Sequence, residues 1–219
     1  MIVYATHKGG RYLPIEESLK EQPEGRRNIY VNLTNKCNCA CTFCLRNMKE
    51  MAEEHSLWLK EEPSVEAVKD ELKALPWDKI AEVVFCGFGE PTLRLDALVK
   101  LLHFLKENYP DHPTRLNTNG LSELQYGEEI ASCFEGILDT VSISLNAATA
   151  EKYYELTRAR FGLDSYEGML AFAEHCKPYV PNVVLTIVDH VTSPEDIERC
   201  RQICESRGLT LRVRPYEDS

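Results

Sequence analysis

Apolar positions along this chain switch repeatedly between a strand pattern and a helix pattern. Strands are predicted where β-branched and aromatic residues cluster between Gly, Pro, Asn or Asp, namely at 28–34, 80–87, 114–119, 139–146, 182–189 and 209–216. Helices are predicted where apolar residues recur every three or four positions, at 63–75, 95–109, 126–134, 149–160, 166–176 and 193–208. The pattern therefore predicts six strands joined by helical connections.

This alternation favours a parallel sheet, because parallel strands need crossover connections and these wind the sheet in one direction. Six units are too few to close an eight-stranded barrel. We expect an α/β fold, a partial (β/α)6 TIM-type barrel over residues 28–219, with a doubly wound open sheet as the alternative. Ahead of it, residues 1–27 predict an N-terminal β-hairpin, with strands at 1–6 and 11–15 and a turn at 7–10, and a polar connector at 16–27.

Composition and charge narrow the function classes. With 25 basic and 35 acidic residues the formal net charge is -10, so binding along an extended nucleic acid is not expected. The N-terminus lacks a signal-peptide pattern, and the longest apolar runs have only the length of a strand, so no membrane association is predicted. The nine cysteines are an odd number in a long chain, which favours a reducing cytoplasm, where clustered cysteines bind metals or do redox work.

Distinctive short motifs follow four of the predicted strands. They are the cysteine-rich "NKCNCACTFCLRN" at 35–47, "GFGEP" at 87–91, "NTNG" at 117–120 and "SLN" at 144–146. In both candidate architectures the carboxyl ends of the strands carry the chemistry. We therefore expect one site that combines all four segments.

The first of these segments holds Cys37, Cys39, Cys41 and Cys44 within eight positions. A structural zinc site prefers two separated pairs of ligands, and a disulfide between such close cysteines is strained. The spacing Cys37-x3-Cys41-x2-Cys44 suits three corners of a [4Fe–4S] cluster and leaves one iron open. Cys39 breaks both intervals and is predicted not to be a ligand.

The same spacing, with Phe43 at the aromatic position and "GFGEP" after the second parallel strand, resembles the radical S-adenosylmethionine (SAM) superfamily. The resemblance implies that Cys37, Cys41 and Cys44 bind the cluster and that SAM chelates the open iron. It also implies reductive cleavage of SAM to a 5'-deoxyadenosyl radical, which abstracts a hydrogen atom from a substrate. Phe43 is then expected near the adenine.

Other SAM contacts are carried over by the resemblance, position by position. Glu90 is expected to accept a hydrogen bond from the methionine ammonium, and Phe88 is a departure from the G-G-E-P form. The full predicted SAM-binding set is Phe43, Gly87, Gly89, Glu90, Asn117, Ser144, Asn146 and Arg158. Asn146 could equally be a turn residue and Arg158 a solvated helix residue. Arg214 and Glu217 are further candidates on the last strand.

A narrower resemblance, carried by "SLWLKEEPS" at 56–64, is to the TatD-associated radical SAM proteins. The segment 45–62 is expected beside the cluster, with Trp58 packing or stacking on a ring. The expected substrate is a small or nucleotide-like molecule, and the expected electron donor a flavodoxin or ferredoxin. Two alternatives stay open: a glycyl-radical activating enzyme, suggested by "NTNG" and "VRPYE", and a non-catalytic iron–sulfur protein for electron transfer or sensing. Cys176, Cys200 and Cys204 are expected to be buried rather than ligands. Cys86, at the end of a strand, is either near the cluster or an ordinary buried cysteine.

Overall fold

Eight strands form one sheet in the computed structural model, which describes residues 1–7, 10–48, 55–189 and 192–215. The order across the sheet is β2-β1-β3-β4-β5-β6-β7-β8. The strands are β1 Val3–His7, β2 Arg11–Leu13, β3 Arg27–Val31, β4 Ile80–Phe85, β5 Thr114–Thr118, β6 Thr140–Ser144, β7 Asn182–Val188 and β8 Thr210–Arg214.

Helices connect the strands from β3 onward. The described helices are α1 Ile15–Glu21, α2 Leu45–Met48, α3 Val65–Lys73, α4 Leu95–Asn108, α5 Ser122–Tyr126, α6 Ala150–Thr157, α7 Asp164–Cys176 and α8 Pro194–Ser206. Helix α8 begins as its sequence predicts, because the Ser193 side chain accepts from the backbone N of Asp196 at 3.2 Å and Pro194 follows. Among the described residues, no helix is both long enough and apolar enough to cross a bilayer.

The sheet is parallel from β3 to β8 and open at its two edges. Each of these six strands pairs with the next one in chain order, and no pairing between β2 and β8 occurs in the described part of the chain. A doubly wound sheet would reverse its strand order, so that alternative is wrong. The predicted partial barrel with six parallel strands is confirmed.

One face of the sheet packs against the helices, and the other forms the inside of the partial barrel. Side chains alternate between the faces of a strand, and Phe85, Leu116, Val141 and Ile143 are fully buried in the core beneath the helices. Glu82, Arg115, Asn117, Ser142 and Ser144 alternate with them. These residues therefore lie on what we call the inner face.

The N-terminal hairpin is confirmed and extends the main sheet. β1 pairs antiparallel with β2, and Val3 of β1 pairs antiparallel with Val31 of β3. Two residues of the predicted turn, 8 and 9, lie outside the described residues. The prediction of a plain connector at 16–27 was wrong, because α1 begins at Ile15 and places Ile15 and Ser18 in buried positions.

The helix predicted at 126–134 was also wrong. Helix α5 ends at Tyr126, where the predicted helix began, because Gly127 adopts a left-handed conformation with φ of 72°. Only a 3-10 turn at Ala131–Phe134 follows. Glycine after the last helical residue is a common helix stop, and this one was misread as part of a helix.

Candidate functional site

The predicted cluster ligands lie in one loop, residues 32–44, which we call the cysteine loop. It follows β3 and is hydrogen-bonded to the end of α6, two elements that are far apart in the chain. The backbone N atoms of Ala40 and Thr42 donate to the carbonyls of Thr157 and Leu156, both at 2.9 Å. The cysteine loop therefore spans the mouth of the barrel, from the third strand to the helix that follows the sixth.

Within this loop the four thiols are electrostatically different. The Cys39 side chain is buried, with 6% exposure, and hydrogen-bonds to the sulfurs of Cys37 and Cys41. That hydrogen bond lowers the pKa of Cys37 and the pKa of Cys41, and it raises the pKa of Cys39. Burial raises the pKa of Cys44. The thiolate form is therefore favoured at Cys37 and Cys41 over Cys39.

The donor chemistry of the loop fits an iron–sulfur cluster. Within the described residues no three His, Cys, Asp or Glu side chains surround a point that could hold a single metal ion. A [4Fe–4S] cluster places each thiolate on a different iron, so its ligands do not need to converge in that way. Three half-buried free thiols, Cys37, Cys41 and Cys44, stand at the predicted spacing. They would hold the cluster.

The predicted glycines bring a second loop, residues 86–90, against the cysteine loop. We call it the glycine loop. A Cβ on Gly89 would clash with the carbonyl oxygen of Thr34 and lie 2.6 Å from that of Lys36. A Cβ on Gly87 would clash with the Asn32 side chain. Both positions therefore require glycine for the approach of the two loops.

Glu90 joins three segments of the site through hydrogen bonds. Its Oε1 accepts from the backbone N and hydroxyl of Thr92 and from the Thr118 hydroxyl, at 3.1, 2.8 and 2.8 Å. Its Oε2 accepts from the backbone N of Asn119 at 2.8 Å, and its backbone N donates to Lys36 O at 2.8 Å. Burial raises the pKa of Glu90, and these donors oppose that rise. Among the described residues Oε2 accepts from Asn119 N alone, so it has capacity for a further donor.

Asn119 is a site residue that the motif analysis missed. Its side-chain Nδ2 lies 2.6 Å from Asn38 Oδ1, 3.8 Å from Cys37 Sγ and 3.6 Å from Cys39 Sγ. The backbone N of Cys39 also points at Cys37 Sγ, at 3.4 Å. Asn119 directly follows β5, and its place in "NTNG" at the carboxyl end of a parallel strand is the signal that could have identified it.

Three more predicted SAM contacts lie at the carboxyl ends of β5 and β6. Asn117 and Ser144 are on the inner face, and Asn117 Oδ1 is buried without a hydrogen-bond partner in the described part of the chain. Asn146 is buried and adopts a left-handed backbone with φ of 60°. Such a conformation is uncommon for residues other than glycine and is concentrated at functional sites. A free amide oxygen and a strained asparagine are consistent with a polar ligand here.

The remaining predicted residues lie around the rim of the mouth. Arg158 is exposed at the end of α6, with φ of 48°, next to the stretch that the cysteine loop binds. Phe43 is half-buried within the cysteine loop, and Arg214 ends β8 on the inner face. Glu217 lies outside the described residues. The predicted cluster-binding and SAM-binding set has eleven residues. Ten of them lie at the carboxyl ends of strands or in the loops that follow, and the eleventh, Arg158, lies at the end of α6.

Residues 55–63, which we call the strap, run along the cysteine loop. Asn32 Nδ2 donates to Leu57 O at 2.6 Å, and Asn35 both donates to Leu59 O and accepts from Leu59 N, at 2.7 and 3.0 Å. Trp58 packs edge-on against Phe88 with ring centroids 5.2 Å apart, yet is 50% exposed. The expected position beside the cysteine loop is found for the strap, while 49–54 lie outside the described residues.

Three of the other cysteines lie in the core, and Cys86 belongs to the glycine loop. Cys176, Cys200 and Cys204 are buried in the core with the helices, as expected. Cys86 ends up half-buried just after β4, where burial raises its pKa. All nine cysteines are free thiols.

A family model described as the Radical SAM superfamily matches residues 31–203, which include every element from the end of β3 to α8. The chain belongs to the Radical SAM superfamily. Members of this family bind a [4Fe–4S] cluster and SAM, so the cofactor prediction is confirmed at the level of the family.

Individual relatives agree with this placement. The GTP 3',8-cyclase of Corynebacterium glutamicum is 31% identical over 194 residues, covering 85% of this chain and 48% of the cyclase. A protein of Methanocaldococcus jannaschii, assigned by name as a glycyl-radical enzyme activating enzyme, is 29% identical over 167 residues, covering 74% and 62%. The chain spans about half the length of the curated cyclases that it matches.

The fold is also shared with a solved structure. A radical SAM methyltransferase from Sphaerobacter thermophilus superposes with a TM-score of 0.62 at 16% identity, covering 88% of this chain and 67% of that one. At this identity the likeness concerns the partial barrel alone. The narrower TatD-associated assignment stays a prediction.

Proposed function

We propose that this chain is a radical SAM enzyme that cleaves SAM reductively at a [4Fe–4S] cluster held by Cys37, Cys41 and Cys44. The observation that carries the proposal is the contact between the cysteine loop and the glycine loop, in which Gly89 meets the backbone of Thr34 and Lys36. When bound, the cluster supplies the electron that breaks a carbon–sulfur bond of SAM and yields methionine and a 5'-deoxyadenosyl radical.

The protein's own part is to bind, orient and shield. The three thiols hold the cluster at the mouth of the barrel. Glu90 has acceptor capacity for the SAM ammonium, while Asn117, Ser144 and Asn146 supply polar groups for the rest of SAM. Phe43 offers an aromatic ring and Arg158 a cation at the rim. Gly87 and Gly89 let the two loops approach closely enough for these groups to act together.

The test of this function is anaerobic reconstitution with iron and sulfide, followed by SAM and dithionite. We expect 5'-deoxyadenosine, measured by liquid chromatography. We expect Cys41→Ala to lose cluster binding and Cys39→Ala to keep it, as read from iron content and the cluster absorbance. Wild-type protein with an intact cluster and no 5'-deoxyadenosine would instead support an iron–sulfur protein used for electron transfer or sensing.

The substrate class is proposed from the relatives. The Corynebacterium enzyme is named for a reaction on GTP, which supports a nucleotide-like or other small substrate. The Methanocaldococcus relative supports the alternative of a glycyl-radical activating enzyme. That alternative predicts a glycyl radical in a co-expressed protein partner, detected by electron paramagnetic resonance.

We further propose a low-potential donor, such as flavodoxin or ferredoxin, and a reducing cytoplasm. The nine free thiols support such a compartment. Reduction of the reconstituted cluster by either donor, followed in an anaerobic cuvette, tests the choice of donor.

A further inference from the structure

Among the described candidates for SAM contacts, only Arg214 lies on β7 or β8. The cysteine loop and glycine loop follow β3 and β4, and the predicted SAM contacts Asn117 and Ser144 lie on β5 and β6. The inner face of β7 and β8 therefore remains. Since neighbouring strands lie about 4.8 Å apart, β8 is about 10 Å from β6. A substrate next to SAM would meet this part of the sheet.

Two arginines stand on this part of the inner face. Leu209 lies in the core and Leu211 packs against it, so alternation directs Arg212 and Arg214 to the opposite side of β8. The strand register agrees with this direction. Ser144 pairs with Thr186, and Thr186 pairs with Arg212, which places the three residues in one row across β6, β7 and β8.

Arg212 and Arg214 are both exposed, and their effects on charges across the open barrel agree with a position on its inner face. The positive charge of Arg212 lowers the pKa of Glu82, and that of Arg214 lowers the pKa of Cys86. Glu82 lies on β4 and Cys86 directly follows it, on the far side of the sheet from β8. In both cases burial, which raises the pKa, is the larger effect. The arginines thus lie in successive layers of the barrel, with Arg214 nearer the mouth.

Neither arginine is neutralised by a carboxylate among the described residues. Glu82 is bound by Arg115 at 2.7 Å and by Asn28 at 2.9 Å, and Glu90 is held by its own donors. Other arginines, such as Arg11 and Arg207, form ion pairs on the surface. Because both arginines are exposed, their guanidinium groups are accessible to a ligand on the inner face.

We infer that Arg212 and Arg214 form the subsite for an anionic group of the substrate, a phosphate or a carboxylate. This inference rests on the proposed function, since it assigns the substrate to the space beside SAM. Guanidinium groups bind the oxygens of both anions through paired N–H donors. The arrangement fixes the charged end of a substrate at β7 and β8, and it directs the remainder toward the SAM-binding end of β5 and β6.

The subsite is tested with the reconstituted, SAM-bound protein, kept oxidised so that no turnover occurs. Sodium pyrophosphate and sodium malonate serve as phosphate and carboxylate probes in isothermal titration calorimetry at low salt. We expect one of the two anions to bind with 1:1 stoichiometry. The double variant Arg212→Gln/Arg214→Gln should weaken that binding by about tenfold or more, because it removes charged hydrogen bonds.

A matched control is available on α8. Arg199 and Arg201 have the same spacing in the chain, are 56% and 46% exposed, and lie on the outer surface. Arg199→Gln/Arg201→Gln removes the same net charge and should leave anion binding within about twofold, since α8 lies outside the barrel and solvent screens its charges from the inner face. A fall equal to that of the β8 variant would attribute binding to net charge alone and overturn the inference.

The other outcomes are equally clear. Absence of binding of both anions to the wild type, or equal binding by the wild type and the Arg212→Gln/Arg214→Gln variant, would overturn the subsite. Failure of the proposed function is read separately, as wild-type protein with an intact cluster that forms no 5'-deoxyadenosine. Anion binding is measured without SAM cleavage, so the two results are independent.

Discussion

Gly89 shows at the scale of one residue how closely the site is packed. Its missing side chain leaves room for the carbonyls of Thr34 and Lys36. We expect Gly89→Ala to push the cysteine loop away, lower the free energy of unfolding by about 1 to 3 kcal/mol and reduce the iron content after reconstitution. Urea unfolding and iron analysis would measure the two effects.

The control for this substitution is Gly136→Ala. Gly136 has φ of 72°, and a Cβ added there would have no neighbouring atom within 4 Å, so its cost comes from the backbone conformation alone. We expect Gly136→Ala to destabilise the protein without changing iron content. Equal loss of iron in both variants would contradict the steric explanation.

Asn119 gives a second prediction, concerning the reduction potential of the cluster. N–H donors near a thiolate ligand stabilise the more negative, reduced cluster, and Asn119 Nδ2 lies 3.8 Å from Cys37 Sγ. We expect Asn119→Ala to lower the midpoint potential. One neutral hydrogen bond of about 1 kcal/mol corresponds to about 40 mV for one electron. A redox titration followed by electron paramagnetic resonance would measure the shift.

Asn108→Ala is the comparison for this variant, because Asn108 is exposed on α4 and its side chain, among the described residues, donates to Phe104 O of its own helix. Its potential should equal that of the wild type. A potential unchanged in Asn119→Ala, with full cluster content, would show that the amide does not act on the thiolate.

Individual residues of the site differ in how well the sequence alone predicts their roles. The spacing of Cys37, Cys41 and Cys44 and the pattern of Gly87, Gly89 and Glu90 identify a site because each belongs to a short contiguous motif. Asn119 has a role only through contacts with Asn38 and Cys37, about 80 positions away in the chain. The motif "NTNG" places Asn119 at the end of β5, but it cannot predict which distant residues Asn119 contacts.

At the scale of elements, α5 and α7 are joined by an ion pair with a pH dependence. His175 Nδ1 lies 2.7 Å from Glu123 Oε2, and this hydrogen bond raises the pKa of His175. Glu129 and Glu174 also face the ring and act in the same direction. A raised pKa in the folded state means that protonation stabilises the fold. That stabilisation is complete below the ordinary histidine pKa of about 6.5 and is lost as the pH rises through the raised value.

We therefore expect His175→Gln to be less stable than the wild type at pH 5.5 and similar to it at pH 9. Urea midpoints at the two pH values measure the difference. His103→Gln, at an exposed position of α4, should show no such change with pH. A constant difference between His175→Gln and the wild type at both pH values would assign the effect to packing.

Long periodic elements were predicted closely, whereas short helices were not. The predicted helix at 95–109 and strand at 182–189 agree with α4 and β7 to within one residue at each end. Helix α1 has only seven residues, too few for an apolar period to be visible. The segment at 126–134 was misassigned because Gly127 can either continue or end a helix, and its conformation decides between them.

At the scale of the whole molecule, the hairpin and the strap build one wall of the site. Tyr4, Tyr12, Leu57 and Phe88 form a second apolar cluster, separate from the core beneath the helices. Phe88 belongs to the glycine loop, so this cluster connects the hairpin to the predicted SAM site. Phe88, which departs from the G-G-E-P form, therefore anchors the glycine loop in this apolar cluster. Sequence patterns could not predict it, since its partners come from three distant segments.

The same cluster leads to the last prediction. Leu57 is 2% exposed, and its carbonyl accepts from Asn32 at 2.6 Å. We expect Leu57→Ala to leave a cavity and cost about 2 to 5 kcal/mol of unfolding free energy. It should also weaken SAM binding to the reconstituted protein, because Phe88 and the glycine loop lose support. Leu163→Ala, at a position 50% exposed, should change neither quantity. Normal SAM affinity in a destabilised Leu57→Ala variant would show that the wall supports the fold without positioning the glycine loop.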